Sequence, residues 1–237
     1  MSGTLIIAEH RRGELRPVTF ELIGAARAAG KQPIKVAVIA DDPQKLAEGL
    51  KDFGVEEIVA VKVAARDFEP DIYEAVAQNL IEKLKPGLVL VPHSIDSFGY
   101  AAALAARAGY GLATDVFRFE YQDGELVATR GGYGQKVSVE VDFPGKDVVV
   151  LALRPNVFKP PEGSAAPQRF AIIGLAAENL RSRVVSREFV EMSSADDVDM
   201  TAAEFILAIG RGIGEQANVE QFRGLAETVG ATLGCSR

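Results

Sequence analysis

Four apolar runs of strand length, spaced so that one helix fits between each pair, constrain this chain more than any other feature. They are residues 4–8 (TLIIA), 34–40 (IKVAVIA), 57–63 (EIVAVKV) and 88–91 (LVLV). The runs are continuously apolar rather than alternating, as expected of strands buried on both faces of a parallel sheet. Helical signals fill the gaps. Pro17 stands at a first helical turn, Val18, Leu22, Ile23 and Ala26 form a stripe, and Gly30 ends it. Residues 44–53 follow Asp41-Asp42-Pro43 and stop at Gly54, and residues 71–84 keep the helical period through Ile72, Val76, Leu80 and Leu84. Pro86-Gly87 breaks that helix, and an Ala-rich stretch at 97–108 predicts another. Strands alternating with helices on short connections, with right-handed crossovers, predict an α/β fold. The expected form is a Rossmann-like parallel-sheet layer sandwich with helices on both faces.

After Gly109 the pattern changes. Residues 113–121, 125–130, 136–143 and 147–154 are strand-like, with turn signals at Asp123-Gly124 and Pro144-Gly145. They are expected as antiparallel strands that extend or edge the sheet. Residues 154–168 (RPNVFKPPEGSAAPQ) hold four prolines among small residues, which is linker composition. The expected organisation is therefore an N-terminal α/β domain at 1–160, a connecting segment at 161–200 and the start of a second α/β domain at 201–237. Within the connector, 186–190 reads as one more strand and 193–200 as polar and acidic. The second domain opens with an apolar run at 205–209, turns through Gly210-Arg211-Gly212-Ile213-Gly214, and enters a helix expected at 218–232. A strand feeding a glycine turn and a helix presents backbone N–H groups to a phosphate, and Arg211 adds a fixed charge. Such junctions are common, and many bind nothing.

Several classes are excluded. A net charge of −7 offers no basic face to a phosphate backbone, so no nucleic-acid partner is expected. No apolar run approaches the roughly 20 residues that cross a bilayer, and the N-terminus lacks a signal-peptide core. No membrane insertion is expected, and the single cysteine fits a reducing, cytoplasmic setting. Two histidines and one cysteine, far apart, do not make a metal cage. Two loops lie at the carboxyl ends of predicted strands, where α/β ligands bind. The first, Glu9-His10-Arg11-Arg12, reads as a ligand loop or as a solvated crossing of the sheet rim. In the second, Pro92 to Ser97, the residues Ser94, Asp96 and Ser97 face an anion or cap a helix. Gly131-Gly132-Tyr133-Gly134 sits between strands and reads as a hairpin rather than a phosphate loop.

Five strings carry a more specific signal: TLIIAEH near the start, AAALAARAGYGLATDV, LRPNVF, and the pairing of IGRGIG with AETVGATLGCSR. Together they resemble the alpha subunit of electron transfer flavoproteins, a family that includes the FixB proteins, over essentially the whole length. The resemblance implies an electron carrier rather than an enzyme, with bifurcating complexes as a further possibility. It implies a heterodimer with a homologous beta subunit, and FAD held by the second domain. Electrons would pass from an acyl-CoA-type or similar dehydrogenase to a quinone reductase, ferredoxin or other acceptor. Carried over by motif, Gly210, Arg211 and Gly212 in IGRGIG, and Ser236 and Arg237 in GCSR, match FAD-contacting positions. Cys235 stands where the family has a small residue, and reads as packing rather than a redox thiol.

The family's other flavin-binding strings, a threonine-bearing loop and a serine-glycine-histidine loop, have no counterpart in these 237 residues. One expectation is a fragment of a longer subunit, which would not hold FAD tightly by itself. The other is a flavin-free, shortened relative that serves as a heterodimerisation or nucleotide-binding module. A third is a small-molecule sensor using loops 9–12 and 92–97.

Overall fold

The structure is a computed structural model that describes residues 3–162, 169–173, 180, 182–184, 186–188, 200 and 203–236. It divides into two compact units, Met1–Arg187 and Glu188–Arg237. In the first unit the elements run in chain order as follows: β1 (Thr4–Ile7), a two-rung hairpin of β2 (His10–Arg11) and β3 (Glu14–Leu15), α1 (Pro17–Ala29), β4 (Ile34–Ala40), α2 (Pro43–Glu48), β5 (Glu57–Lys62) and α3 (Pro70–Leu84). They continue with β6 (Leu88–Pro92), α4 (Ile95–Phe98), α5 (Ala101–Ala108), β7 (Gly111–Gln122), β8 (Glu125–Gly132), β9 (Val137–Asp142), β10 (Val149–Leu153) and β11 (Arg169–Ile173). The second unit holds β12 (Ile206–Ile209), α6 (Val219–Val229) and β13 (Thr232–Cys235).

The sheet of the first unit has the order β11-β5-β4-β1-β6-β10-β7-β8-β9. All neighbours from β11 to β7 are parallel, and only β7–β8 and β8–β9 are antiparallel. Successive residues of the central strands feed opposite cores. Ile6, Val36, Val38, Leu88, Leu90 and Leu151 meet Leu22, Ile23 and Ala26 of α1. Leu5, Ile7, Ala37, Ile39, Val89 and Val150 meet Val76, Ala77 and Leu80 of α3 and Leu104 of α5. Each fully buried Leu or Ile contributes about 1.5–3 kcal/mol relative to exposure, so this two-sided burial dominates the fold.

Helix ends follow local chemistry. Prolines open α1, α2 and α3, and Gly30 and Gly109 close α1 and α5 in the left-handed region, at φ 70° and 71°.

Several expectations need correction. The run at 147–154 is not an antiparallel edge: β10 is parallel and lies between β6 and β7. Its residues VVLAL are all buried, and a strand apolar on both faces belongs in the middle of a sheet. Strand β7, also expected as antiparallel, is parallel to β10 on one side and antiparallel to β8 on the other. The helix expected at 97–108 is broken at Gly99-Tyr100 into α4 and α5. A Cβ at Gly99 would lie 3.1 Å from Pro70 Cβ, so α3 packs against the break. Within the expected connector 161–200, Arg169–Ile173 forms β11 and pairs with β5. The expected strand 186–190 carries no strand assignment at 186–188 and otherwise lies outside the described residues, as does 193–199. In the second unit α6 ends at Val229, because Gly230 turns left-handed at φ 67° and releases the chain into β13.

Candidate functional site

In the second unit, β12 and β13 run parallel in a register that sets Ile209 against Cys235. The two strands therefore end together. The Ser236 amide donates to Ile209 O at 3.1 Å, and a Cβ built on Gly210 would sit 3.6 Å from Ser236 Oγ. Gly210 and Ser236, 26 positions apart in sequence, thus meet at one strand end. From Gly210 the chain makes a 3₁₀ turn at Arg211–Ile213, and Gly214 takes φ 81° and ψ −90°. A second 3₁₀ turn, Gln216–Asn218, leads into α6. Asn218 Nδ2 donates to Ile213 O at 2.7 Å, tying the start of α6 to the turn.

Gly210, Arg211, Gly212 and Ser236 are all exposed, and a Cβ at Gly212 would meet nothing within 4 Å. The result is an open, glycine-lined turn with a guanidinium and a hydroxyl at one end of a parallel β–α–β element. Backbone N–H groups and a fixed cation suit a dinucleotide's phosphates, and bare glycine Cα atoms allow its close approach. The residues present fit FAD in that respect. Arg237 lies outside the described residues. Cys235 is a free, exposed thiol.

The standard crevice of a doubly wound sheet opens where strand order reverses, here between β1 and β6. In this chain the crevice is filled by the chain itself. The Ser94 hydroxyl donates to the Glu9 carboxylate across it, and Ser94 Oγ also caps α4 by accepting from Ser97 N. Burial, the larger influence, raises the Glu9 pKa, while the Ser94 hydrogen bond opposes it. Thr19 Oγ1 bonds both backbone groups of Glu9 at 3.0 Å. His10 is buried, with Nε2 against Ile39 O at 2.7 Å, an oxygen that also accepts from the Tyr73 hydroxyl at 3.0 Å. Phe68, Tyr73 and Tyr100 pack their rings beside it. Loops 9–12 and 92–97 do converge, but they meet through Ser94 on the partly buried Glu9 carboxyl, an arrangement hostile to a phosphate.

A third cluster shares only His93 with the loops singled out from the sequence. Asp115 follows the first part of β7 in a left-handed conformation, φ 61°. Its carboxylate takes Arg154 Nε at 2.7 Å and Nη2 at 2.9 Å, and Gln135 Nε2 at 2.8 Å. Its amide donates to His93 Nδ1 at 3.1 Å. The Arg154 hydrogen bonds hold the Asp115 carboxyl down to about 2, and burial lowers His93. Two of the strings noted above, GLATDV and LRPNVF, meet in this ion pair. LRPNVF then clamps α1: Val157 N donates to Glu21 Oε2 at 3.3 Å, and Phe158 packs on the core. The legible signal was an acidic residue inside one strand-like run and a basic residue at the carboxyl end of another.

A doubly wound layer followed by a parallel β–turn–α–β element with a glycine turn at its strand end places the chain among α/β proteins of the Rossmann-like class. Family comparison makes this specific: the electron transfer flavoprotein domain matches residues 4–177, and the electron transfer flavoprotein FAD-binding domain matches residues 199–237. The chain belongs to the electron transfer flavoprotein family. It is 52% identical to electron transfer flavoprotein subunit alpha of Methylophilus methylotrophus, over 100% of this chain and 74% of that protein. It is 30% identical to protein FixB of Clostridium saccharobutylicum, over 99% of this chain and 72% of that one. It is 28% identical to the lactate dehydrogenase (NAD(+),ferredoxin) subunit LctC of Acetobacterium woodii, over 99% and 57%. No helix among the described residues is long and apolar enough to cross a membrane.

Proposed function

We propose that the chain serves as the alpha side of a heterodimeric electron carrier, binding FAD through the turn Gly210–Gly214 together with Ser236 and Arg237. One observation carries the assignment. The strand-end juxtaposition of Gly210 with Ser236 falls inside the stretch matched by the family's FAD-binding domain. In this reading Gly210 and Gly212 keep the backbone open to the cofactor, and Arg211 neutralises part of its pyrophosphate charge. Ser236 and Arg237 would hold the ring system, to which a hydrogen-bond donor and a cation would lend stability in its negatively charged form. FAD, when bound, supplies the one- and two-electron chemistry, and these side chains bind and orient it.

The beta subunit is the companion implied by relatives named as alpha subunits. The electron donor is a dehydrogenase of acyl-CoA or similar type, and the acceptor a quinone reductase, ferredoxin or comparable protein. An exposed free thiol at Cys235 suits a reducing cytoplasm.

Among the described residues of the second unit, only Ile209 and Ala226 are buried apolar side chains. On that basis residues 1–237 alone hold FAD weakly. The test is co-expression with the companion beta gene, desalting, and an absorbance spectrum. A flavin spectrum at one FAD per heterodimer is expected, reduced in Arg211→Ala and Ser236→Ala. A colourless heterodimer refutes the reading.

A further inference from the structure

Past β11, the last described residues of the first unit are fastened along the start of α3. Leu180 packs on the core that α3 and α5 share with the sheet. Three residues on, Arg183 meets Asp71 in the first turn of α3. After three more, the Ser186 hydroxyl donates to Asp67 Oδ2 at 3.1 Å, just ahead of that helix. One of these fastenings is apolar and two are polar.

The middle one is the most specific. Asp71 Oδ2 accepts from the Arg183 amide at 2.8 Å, and Oδ1 accepts from Nη2 at 2.6 Å. Arg183 Nε reaches both oxygens, at 3.2 and 3.1 Å. One carboxylate thus grips the backbone and the guanidinium of the same residue, which a lysine could not reproduce. A tight bend prepares the approach. Ser182 Oγ accepts from Val184 N at 3.2 Å, and the same hydroxyl donates to Val184 O. Beside this pair, Arg107 Nη1 stands 2.8 Å from Glu74 Oε1, and all four charged side chains line one surface depression. Two acidic and two basic groups balance there.

The stretch is otherwise open to solvent. The Arg183 side chain is 82% exposed, and Val184, Ser186 and Arg187 are exposed as well. Salt screens such a pair, since the Debye length falls from about 30 Å at 0.01 M to about 3 Å at 1 M. The Arg183 hydrogen bonds hold the Asp71 carboxyl down to about 2, so ionic strength rather than pH is the lever near neutrality.

We propose that Asp71 with Arg183, and Asp67 with Ser186, form a salt-sensitive latch that sets how much connecting chain is free ahead of the second unit. Latched, the last fastened residue is Ser186; released, it is Leu180. Those six positions, at about 3.3–3.6 Å each, lengthen the free tether by about 20 Å. The inference goes beyond the electron-carrier reading and holds whether or not FAD binds.

The experiment is limited trypsin digestion of the folded 237-residue chain at neutral pH, with cleavage after residue 183 followed by mass spectrometry. An arginine whose guanidinium and amide are both engaged cannot enter the protease's pocket, so cleavage there reports the open latch. Each rate is referred to a short arginyl or lysyl substrate under the same conditions. In low salt, Asp71→Asn is expected to be cut about 5-fold faster than the wild type. Arg183→Lys keeps the charge and the cleavage site but loses the fork, and should be cut about 2–5-fold faster. Raising salt from about 0.02 M to about 0.5 M should remove most of the difference by speeding the wild type. Cleavage after Lys85, at the far end of α3, should not change in either variant. Equal rates after residue 183 in all three chains overturn the proposal, as does a wild-type rate that salt leaves unchanged. Parallel acceleration after Lys85 assigns the pair to holding α3 together and overturns it too.

Discussion

Replacing Asp115 with Asn isolates the charge of the Asp115–Arg154 pair with little change of shape. Asn is the residue best suited after Gly to the left-handed backbone at φ 61°, so no strain is introduced. The Arg154 hydrogen bonds hold the Asp115 carboxyl at about 2, against an ordinary 3.8. At about 1.36 kcal/mol per pH unit that difference corresponds to about 2.4 kcal/mol. The side chains of Asp115 and Arg154 remain 18% and 29% exposed, so water and salt screen the pair. A discounted loss of about 1–1.5 kcal/mol is expected, or roughly 2–6 °C in Tm for a domain of this size. The sign follows from linkage. A carboxyl depressed in the folded state stabilises it fully above the unfolded value of 3.8, and loses that contribution as pH falls toward 2. About half is gone at pH 3. The assay is urea unfolding of the wild type and Asp115→Asn at pH 7, 4 and 3, following the transition of the first unit. A stability gap that is absent at pH 7, or that fails to narrow between pH 4 and pH 3, refutes the argument.

Gly24→Ala tests the clamp of LRPNVF on α1. A Cβ there would sit 1.9 Å from Lys159 O, a backbone atom, so the crossing segment must shift; a loss of about 1–3 kcal/mol in chemical denaturation is expected despite the better helix propensity of Ala. Ser94→Ala removes both the cap of α4 and the hydroxyl that donates to the partly buried Glu9 carboxylate, for a loss of about 1–3 kcal/mol. Without that donor the raised Glu9 is harder still to ionise, so the deficit measured by thermal melts is expected to be larger at pH 8 than at pH 4.5.

How much of this architecture the sequence discloses depends on whether burial or pairing decides an element. Strands β1, β4, β5 and β6 were legible because their runs are apolar on both faces, and helices α1 and α3 because proline and stripe agree. The placement of β10 was open to the same argument, since VVLAL is as continuously apolar as LVLVP, but its neighbours β8 and β9 suggested a meander. Nothing local says that the chain returns from the sheet edge to lie beside β6, because that choice is made by the cores on both faces. The closure of the β1–β6 crevice was also hidden, since the Glu9–Ser94 contact spans 85 residues. For the candidate site, spacing alone suggested only a glycine turn. The parallel register of β12 with β13 supplies what spacing lacks, by ending both strings at the same level.

That register also explains why the site depends on more than its own residues. A two-stranded parallel sheet with one covering helix has two open edges and little interior. Phe205, Ile206, Leu225 and Val229 stay 55%, 41%, 47% and 47% exposed, while the buried apolar side chains of the described part of this unit are only Ile209 and Ala226. The geometry of Gly210 against Ser236 is nevertheless held by backbone hydrogen bonds on both sides: the Thr232 amide to Phe205 O at one end of the strand pair and the Ser236 amide to Ile209 O at the other. Shape and stability thus have different sources here. The turn's form is specified locally, whereas its persistence requires something to cover the apolar face of β12 and α6. A cofactor bound at the turn adds stability only in proportion to its own differential affinity for the ordered form. Weak FAD retention by residues 1–237, and stronger retention once that face is covered, are therefore the outcomes expected from one geometry.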